Sequence, residues 1–323
     1  MATPPLIVRA HAKVNLDFRI LGARSDGYHE VSTVLQSLAL GDEIELHERE
    51  GPFTLTCDEP SVAADATNLV WRAAARLGAA LGLSLDGLAV GLRKRIPARA
   101  GLGGGSADAG AILRLLAQRW RVAPDDPVLP GVAGELGADV PFFLVGGTAL
   151  ATGRGDLIQP LADLPEHQVL VVLPPFGIST QDAYTWLDAA SIPPHEDASD
   201  ARAEGRAYAL PELVGPTFRL GSSTAGPAWS RLLPQLRNDL EAIVTARHPE
   251  IGTAVGALRA AGALLAIMTG SGSAVVGLFR ADADMEEACR SLGPTVSRPG
   301  WRLLRTKTIG RQTYEASLLA ETS

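Results

Sequence analysis

Lysine is nearly missing from this 323-residue chain: Lys13, Lys94 and Lys307 stand against 26 arginines among 29 basic side chains. Where the background has drifted so far to arginine, a retained lysine draws interest, because a compact, movable ammonium can serve where a planar guanidinium fork cannot. Lys94, between Arg93 and Arg95, reads as chance; Lys13 has more informative neighbours. Cysteine is scarce as well. Cys57 and Cys289 lie far apart without metal-ligand spacing and fit unpaired thiols in a reducing compartment. No apolar run approaches the roughly 20 residues of a membrane span, and residues 1–9 lack the apolar core of a secretory signal. Basic excess is absent too. A net charge of −7 with no basic stripe argues against nucleic acid or an anionic membrane as the main partner. The remainder, 46% hydrophobic and 20% charged, describes a soluble, cytoplasmic globular protein long enough for two domains or one large one.

What is abundant is glycine, and it is concentrated. Pro97-Ala98-Arg99-Ala100-Gly101-Leu102-Gly103-Gly104-Gly105-Ser106-Ala107-Asp108-Ala109 carries four glycines in five residues. A strand-like run, Leu88 to Ile96, precedes it and an amphipathic run, Ala109 to Trp120, follows. Without Cβ atoms several backbone N–H groups can converge, and the following helix adds the positive end of its dipole, so the natural guest is a phosphate. Two familiar loops are excluded. No Gly-Lys dipeptide exists to end a Walker-type loop, and Ser106 stands where a dinucleotide fingerprint starting at Gly101 needs its third glycine.

Around Lys13 the sequence reads Arg9-Ala10-His11-Ala12-Lys13-Val14-Asn15-Leu16-Asp17-Phe18. Strand alternation places His11, Lys13, Asn15 and Asp17 on one face, which describes either a polar site or a solvated edge. The turn at Asp26-Gly27 leads to Tyr28 and His29, which could stack on and hydrogen-bond a planar ring or simply open a strand from His29 to Ala39. Asp139 sits between Gly137, a helix stop, and Pro141, after which Phe142 to Leu150 reads as a strand. A third glycine-rich stretch, Met268-Thr269-Gly270-Ser271-Gly272-Ser273-Ala274, is an anion nest or a tight turn.

Together these segments resemble the GHMP kinases, named after galactokinase, homoserine kinase, mevalonate kinase and phosphomevalonate kinase. The resemblance rests on Ala12-Lys13-Val14-Asn15-Leu16, Asp26-Gly27-Tyr28-His29, Asn68-Leu69-Val70, the glycine loop, Leu136 to Phe143, Asn238-Asp239-Leu240-Glu241 and Gly270-Ser271-Gly272, and covers nearly the whole chain. Arg99 replaces a usually small residue, and Ala107 replaces a usual serine. The resemblance implies an α+β fold of two domains: an N-terminal domain of ribosomal-protein-S5-domain-2 type with a left-handed βαβ unit (1–160), and a ferredoxin-like C-terminal domain (161–323). The boundary is expected between Gly153 and Pro165. Helices are expected near Asn68–Leu81, Ala107–Trp120 and Thr253–Ala261, and Ala190 to Ser230 reads as an insertion or a long irregular segment.

The resemblance also implies an ATP- and Mg²⁺-dependent kinase whose acceptor is a small, cytidine diphosphate-linked alcohol of isoprenoid precursor synthesis. Asp139 is the implied base and Lys13 its partner. Asn68 and Pro97 through Ala107 are implied nucleotide contacts, with Ser106 adding a hydroxyl. Asn15, Tyr28, His29, Thr180, Tyr184, Gly270, Ser271 and Gly272 are implied acceptor contacts. A sibling kinase of homoserine or mevalonate type is the alternative enzyme; a non-catalytic binding protein is disfavoured because Lys13 and Asp139 both stand in their motifs.

Overall fold

The computed structural model describes residues 4–190, 219, 225–293, 299–318 and 321–322. The stretch Ala190 to Ser230 therefore lies largely outside the described residues. The first sheet is built on two long strands, β1 (Leu6–Ala23) and β2 (His29–Glu48), paired antiparallel along nearly their whole length. β2 is long enough to serve two more neighbours: Val31 to Gln36 pairs with β5 (Thr148–Gly153), and Glu43 to Glu48 pairs with β4 (Leu88–Arg93). β3 (Thr54–Cys57) runs parallel to β4, with α1 (Leu69–Leu81) as the crossover, and β6 (Leu157–Pro160) extends β5. α1 and α2 (Gly104–Arg119) pack on each other, α2 against β1, and α3 (Val128–Leu136) against both helices.

The second sheet has the order β10 (Arg302–Lys307), β7 (Gln168–Leu173), β9 (Val275–Phe279), β8 (Leu265–Met268), all antiparallel. With α4 (Thr180–Ala189), α5 (Ala225–Leu232), α6 (Glu241–Arg247) and α7 (Pro249–Ala260) between β7 and β8, and α8 (Asp282–Ser291) between β9 and β10, this is the ferredoxin-like arrangement. β7 explains why the two units hold together. Val169, Val171 and Leu173 enter the core of the first sheet, while Leu170 and Val172 enter that of the second, so a strand with both faces buried reads as an unbroken apolar run. The chain then returns: α9 (Arg311–Ser317) packs against β1, and β11 (Glu321–Thr322) joins the first sheet by pairing with Leu6 and Ile7.

Three local expectations need correction. Phe142 to Leu150 is not one strand. Val140–Leu144 is a 3₁₀ turn, opened by Pro141, and β5 begins only after Gly146 and Gly147 turn the chain with φ of +64° and +66°. α2 begins at Gly104 rather than near Ala107. The strand expected to Ile96 ends at Arg93, because the Asp42 carboxylate takes the N–H groups of Arg95 and Ile96 that a ladder would otherwise use.

Candidate active site

A cleft of about 1270 Å³ opens between the two units, walled by β1, the glycine loop, the α3–3₁₀ junction, the N-terminal turns of α4 and the loop after β8. Its floor is Lys13. The Lys13 backbone N–H donates to Leu102 O at 3.0 Å, which pins β1 to the glycine loop. The Lys13 ammonium donates to Asn15 Oδ1 at 2.7 Å and lies 3.3 Å from Asp139 Oδ2. Asn15 is fixed in turn: its Nδ2 donates to Thr33 Oγ1 at 2.7 Å and its backbone N–H to Thr269 Oγ1 at 2.9 Å. Its amide thus orients the lysine from one side, as Asp139 does from the other.

The polar face expected of β1 divides. Register shifts between His11 and Lys13 and between Asn15 and Asp17 break the alternation, so only Lys13 and Asn15 reach the cleft. His11 turns to Ser317 Oγ in α9, at 2.9 Å. Asp17 accepts from Arg19 Nε at 2.8 Å and from the Arg237 backbone N–H at 2.9 Å. Burial pushes the Asp17 carboxyl up and pushes the His11 imidazole down to about 4.

The glycine loop forms the adjoining wall. Gly101 and Gly103 hold φ of +75° and +73°. A Cβ on Gly103 would stand 2.9 Å from both Lys13 Cγ and Phe143 Cζ, so glycine is needed there for conformation and for space. Gly103 precedes the first turn of α2, whose N-terminus faces the cleft beside Lys13, the geometry that suits a phosphate chain. Pro97 through Ser106 all line the cleft. Arg99 does so with φ of +56°, an uncommon conformation for a residue with a side chain. Ala107 does not line it: its side chain is buried and its N–H donates to Gly103 O within the helix. Asn68 lines the cleft, yet its amide is committed to capping α1, accepting from the Val70 N–H at 2.8 Å and donating to Ala63 O at 2.6 Å.

At the far end of the cleft the aromatic residues are arranged differently from a simple Tyr28–His29 receptor. The His29 ring stacks on Tyr184, with centroids 4.7 Å apart and planes 23° off parallel, and His29 Nε2 meets Asp188 Oδ1 at 2.9 Å. Burial, with Asp139 adding to it, raises the Tyr184 phenol. Tyr28 stands at the rim, with the Arg154 guanidinium 5.3 Å from its ring centroid. Thr180 and Ser271 join hydroxyls at 3.1 Å across the mouth; Gly270 lines the cleft and Gly272 does not.

Lys94, read from sequence as chance, is a buried element of this wall. Its ammonium lies between the carboxylates of Asp42 and Asp108, at 2.6 Å from the latter, beneath the start of α2. Burial drives the Asp108 carboxyl well up, against the pull of Lys94, while the two carboxylates raise Lys94 against its own burial. The signal that exposed Lys13, retention of lysine in an arginine-rich chain, applied equally to Lys94. Asp42 and Asp108 left no such trace. Among the described residues no cluster of three His, Cys, Asp or Glu side chains could hold a metal ion, and no helix is long and apolar enough to cross a membrane.

A mixed α+β fold in two units, with a glycine loop beside a buried lysine and a carboxylate open to the cleft, defines a small-molecule kinase of GHMP type. The profile of the GHMP kinase N-terminal domain matches residues 68–147, and that of the C-terminal domain matches residues 226–295. The chain belongs to the GHMP kinase family. It is 41% identical over 283 residues to 4-diphosphocytidyl-2-C-methyl-D-erythritol kinase of Synechococcus sp. strain JA-3-3Ab, covering 87% of this chain and 86% of the relative. The enzyme of the same name from Gloeobacter violaceus is 37% identical over 321 residues, 98% of this chain and 97% of the relative. The crystal structure of a 4-(cytidine 5'-diphospho)-2C-methyl-D-erythritol kinase superposes with a TM-score of 0.70 at 30% identity, covering 94% of this chain and 99% of that one. Homoserine kinase from Cytophaga hutchinsonii, at 20% identity and a TM-score of 0.69 over 95% of each chain, shares the fold.

Proposed function

We propose that this enzyme transfers the γ-phosphoryl group of ATP to the 2-hydroxyl of 4-diphosphocytidyl-2-C-methyl-D-erythritol, a step of the non-mevalonate route to isoprenoid precursors. The observation that carries the reading is the Lys13–Asp139 pair set against the glycine loop in one cleft, in a chain with relatives of that activity along nearly its full length. Phosphoryl transfer leaves a protein little covalent work, so positioning and charge stabilisation dominate. The acceptor hydroxyl approaches Asp139, whose exposed carboxylate takes its proton as the oxygen bonds to the γ-phosphorus and the bond to ADP breaks. Lys13, oriented by Asn15, steadies Asp139 and offsets negative charge on the group in transit. The N–H groups from Gly101 to Ser106, with the Ser106 hydroxyl, hold the triphosphate against the N-terminus of α2.

The donor set fits a metal that comes with the nucleotide rather than one held by a protein cage, since Asp108 is committed to Lys94 and Asp139 is the open carboxylate beside Lys13. Mg²⁺ bound with the nucleotide would supply neutralisation of the triphosphate charge. Tyr28, His29 and Tyr184 are assigned to the cytosine end, with Thr180, Gly270 and Ser271 along the path between. The test is transfer of label from [γ-³²P]ATP to the cytidylyl acceptor, with homoserine and mevalonate as controls. Transfer to either control with none to the cytidylyl acceptor overturns the reading.

A further inference from the structure

The motif Asn238-Asp239-Leu240-Glu241 has no part in the chemistry above, yet it joins the catalytic strand to the loop that roofs it. Its backbone lies along β1: the Phe18 N–H donates to Arg237 O at 2.8 Å, the Asp239 N–H donates to Phe18 O at 2.9 Å, and the Asp239 carboxylate accepts from the Ile20 N–H at 2.9 Å. The side chains of Asn238 and Glu241 face the other way. Asn238 Nδ2 donates to Met268 O and to Gly270 O, both at 2.7 Å, its Oδ1 accepts from the Leu240 N–H at 2.9 Å, and Glu241 Oε2 accepts from the Met268 N–H at 2.7 Å. Asn238 is 7% exposed and both its amide donors are spent on two carbonyls of one loop.

That loop touches both halves of the reaction site. On the acceptor side, Thr269 Oγ1 receives the Asn15 N–H, and Gly270 approaches so closely that a Cβ would stand 3.1 Å from Asn15 Oδ1 and 3.7 Å from Lys13 Nζ. On the donor side, a Cβ on Gly101 would stand 2.9 Å from Thr269 O and 3.2 Å from Gly272 O. The loop is thus wedged between the Lys13–Asn15 pair and the phosphate loop, and its height is set from behind by Asn238.

We infer that Asn238 is a positioning residue for phosphoryl transfer: by holding Met268 O and Gly270 O it sets, through Thr269, the placement of Asn15 and Lys13 relative to the glycine loop. The inference rests on the kinase reading above. Aspartate at this position keeps the size and the bond from Leu240, but sets a carboxylate oxygen against two carbonyl oxygens, so the loop must move. A displacement of about 1 Å in a reacting constellation can cost on the order of 10²-fold in rate.

The experiment compares Asn238→Asp, Thr269→Val, Thr269→Ser and the Asn238→Asp/Thr269→Val double variant, assayed at least 15 °C below each melting temperature. Asn238→Asp and Thr269→Val are each expected to lower kcat about ten- to a hundredfold with KM for ATP changed less than about threefold. Thr269→Ser, which keeps the hydroxyl, is expected to restore most of the rate, and the double variant to be no slower than the worse single. A lowered melting temperature with unchanged kcat in Asn238→Asp, or full activity in Thr269→Val, overturns the inference. If Asn238→Asp does not fold, the two Thr269 variants decide it alone. Parent enzyme inactive toward the cytidylyl acceptor refutes the substrate reading instead, and the same ratios are then read with whichever acceptor it does phosphorylate.

Discussion

Lys13 and Asp139 form an unequal pair: 3.3 Å separates the ammonium from the carboxylate, yet the lysine side chain is 5% exposed and the aspartate 40%. The buried cation stands behind and the carboxylate faces the cleft, so a substrate hydroxyl is expected to reach Asp139 first. Asp139→Asn keeps the size and removes the proton acceptor. Turnover is expected to fall about 10²–10⁴-fold, the usual cost of losing a positioned general base. ATP affinity, measured by calorimetry, stays near its parent value because no atom of the glycine loop is disturbed. Near-normal turnover would remove Asp139 from the role of base.

Lys13→Arg keeps the charge and is nonetheless expected to abolish most activity. The lysine stem runs against Gly103, where a Cβ would stand 2.9 Å from Lys13 Cγ and 3.2 Å from Lys13 Cε. The wider guanidinium cannot take both the Asn15 and the Asp139 contacts from that channel. Steady-state kinetics check this, and an arginine variant with more than a tenth of parent kcat would show that charge alone suffices.

Lys94→Met is expected to destabilise the protein by about 3–5 kcal/mol in urea unfolding, since it strands two buried carboxylates. Adding Asp108→Leu removes one of the stranded charges and is expected to recover part of the loss. A single variant within about 1 kcal/mol of the parent would mean that the triad carries no net stabilisation.

How far the sequence could be read follows from the kind of signal each residue leaves. The glycine loop, Lys13 and Asp139 lie in short contiguous motifs; the loop's own pattern points to a phosphate, while the roles of Lys13 and Asp139 come with the family resemblance. The ferredoxin-like sheet is legible only through the resemblance, because strand pairing between Gln168 and Lys307 is a long-range fact with no local mark. Lys94, Asp42 and Asp108 meet only on folding, being separated by up to 66 residues of chain between Asp42 and Asp108. A run of apolar residues such as the one from Phe142 looks the same in a buried 3₁₀ turn as in a strand, and Gly146 and Gly147 are the punctuation that separates the two. The expected polar face of β1 failed at its bulges, which no period of two can foresee.

His11 gives the fold a pH dependence of known sign. Burial holds its imidazole at about 4, below the ordinary 6.5 of the unfolded chain. Between those values the unfolded state binds the extra proton, so stability falls as pH drops from about 6.5 toward about 4. At ~1.4 kcal/mol per pKa unit the full effect is on the order of 3 kcal/mol. His11→Gln removes this component, so its stability relative to the parent is expected to improve across that window. A parent–variant difference that is flat with pH, measured by denaturant unfolding, would show that His11 does not titrate as its burial requires.

Tyr28 is the residue to which we assign acceptor specificity. The residue is 57% exposed at the cleft rim, where the Arg154 guanidinium lies over its ring. A tyrosine that only packed the fold would be buried, and its loss would lower the melting temperature and affect both substrates alike. With so little of Tyr28 covered, Tyr28→Ala is expected to leave the melting temperature within about 2 °C, since surface substitutions usually stay within about 0.5 kcal/mol. Stacking of a base on an aromatic ring is worth about 1–3 kcal/mol, so KM for the cytidylyl acceptor is expected to rise roughly ten- to a hundredfold while KM for ATP holds. Tyr28→Phe keeps the ring face and most of the affinity. Equal changes in the two Michaelis constants would detach Tyr28 from the cytosine end and leave His29 and Tyr184, already stacked on each other, as the surface to which the base is added.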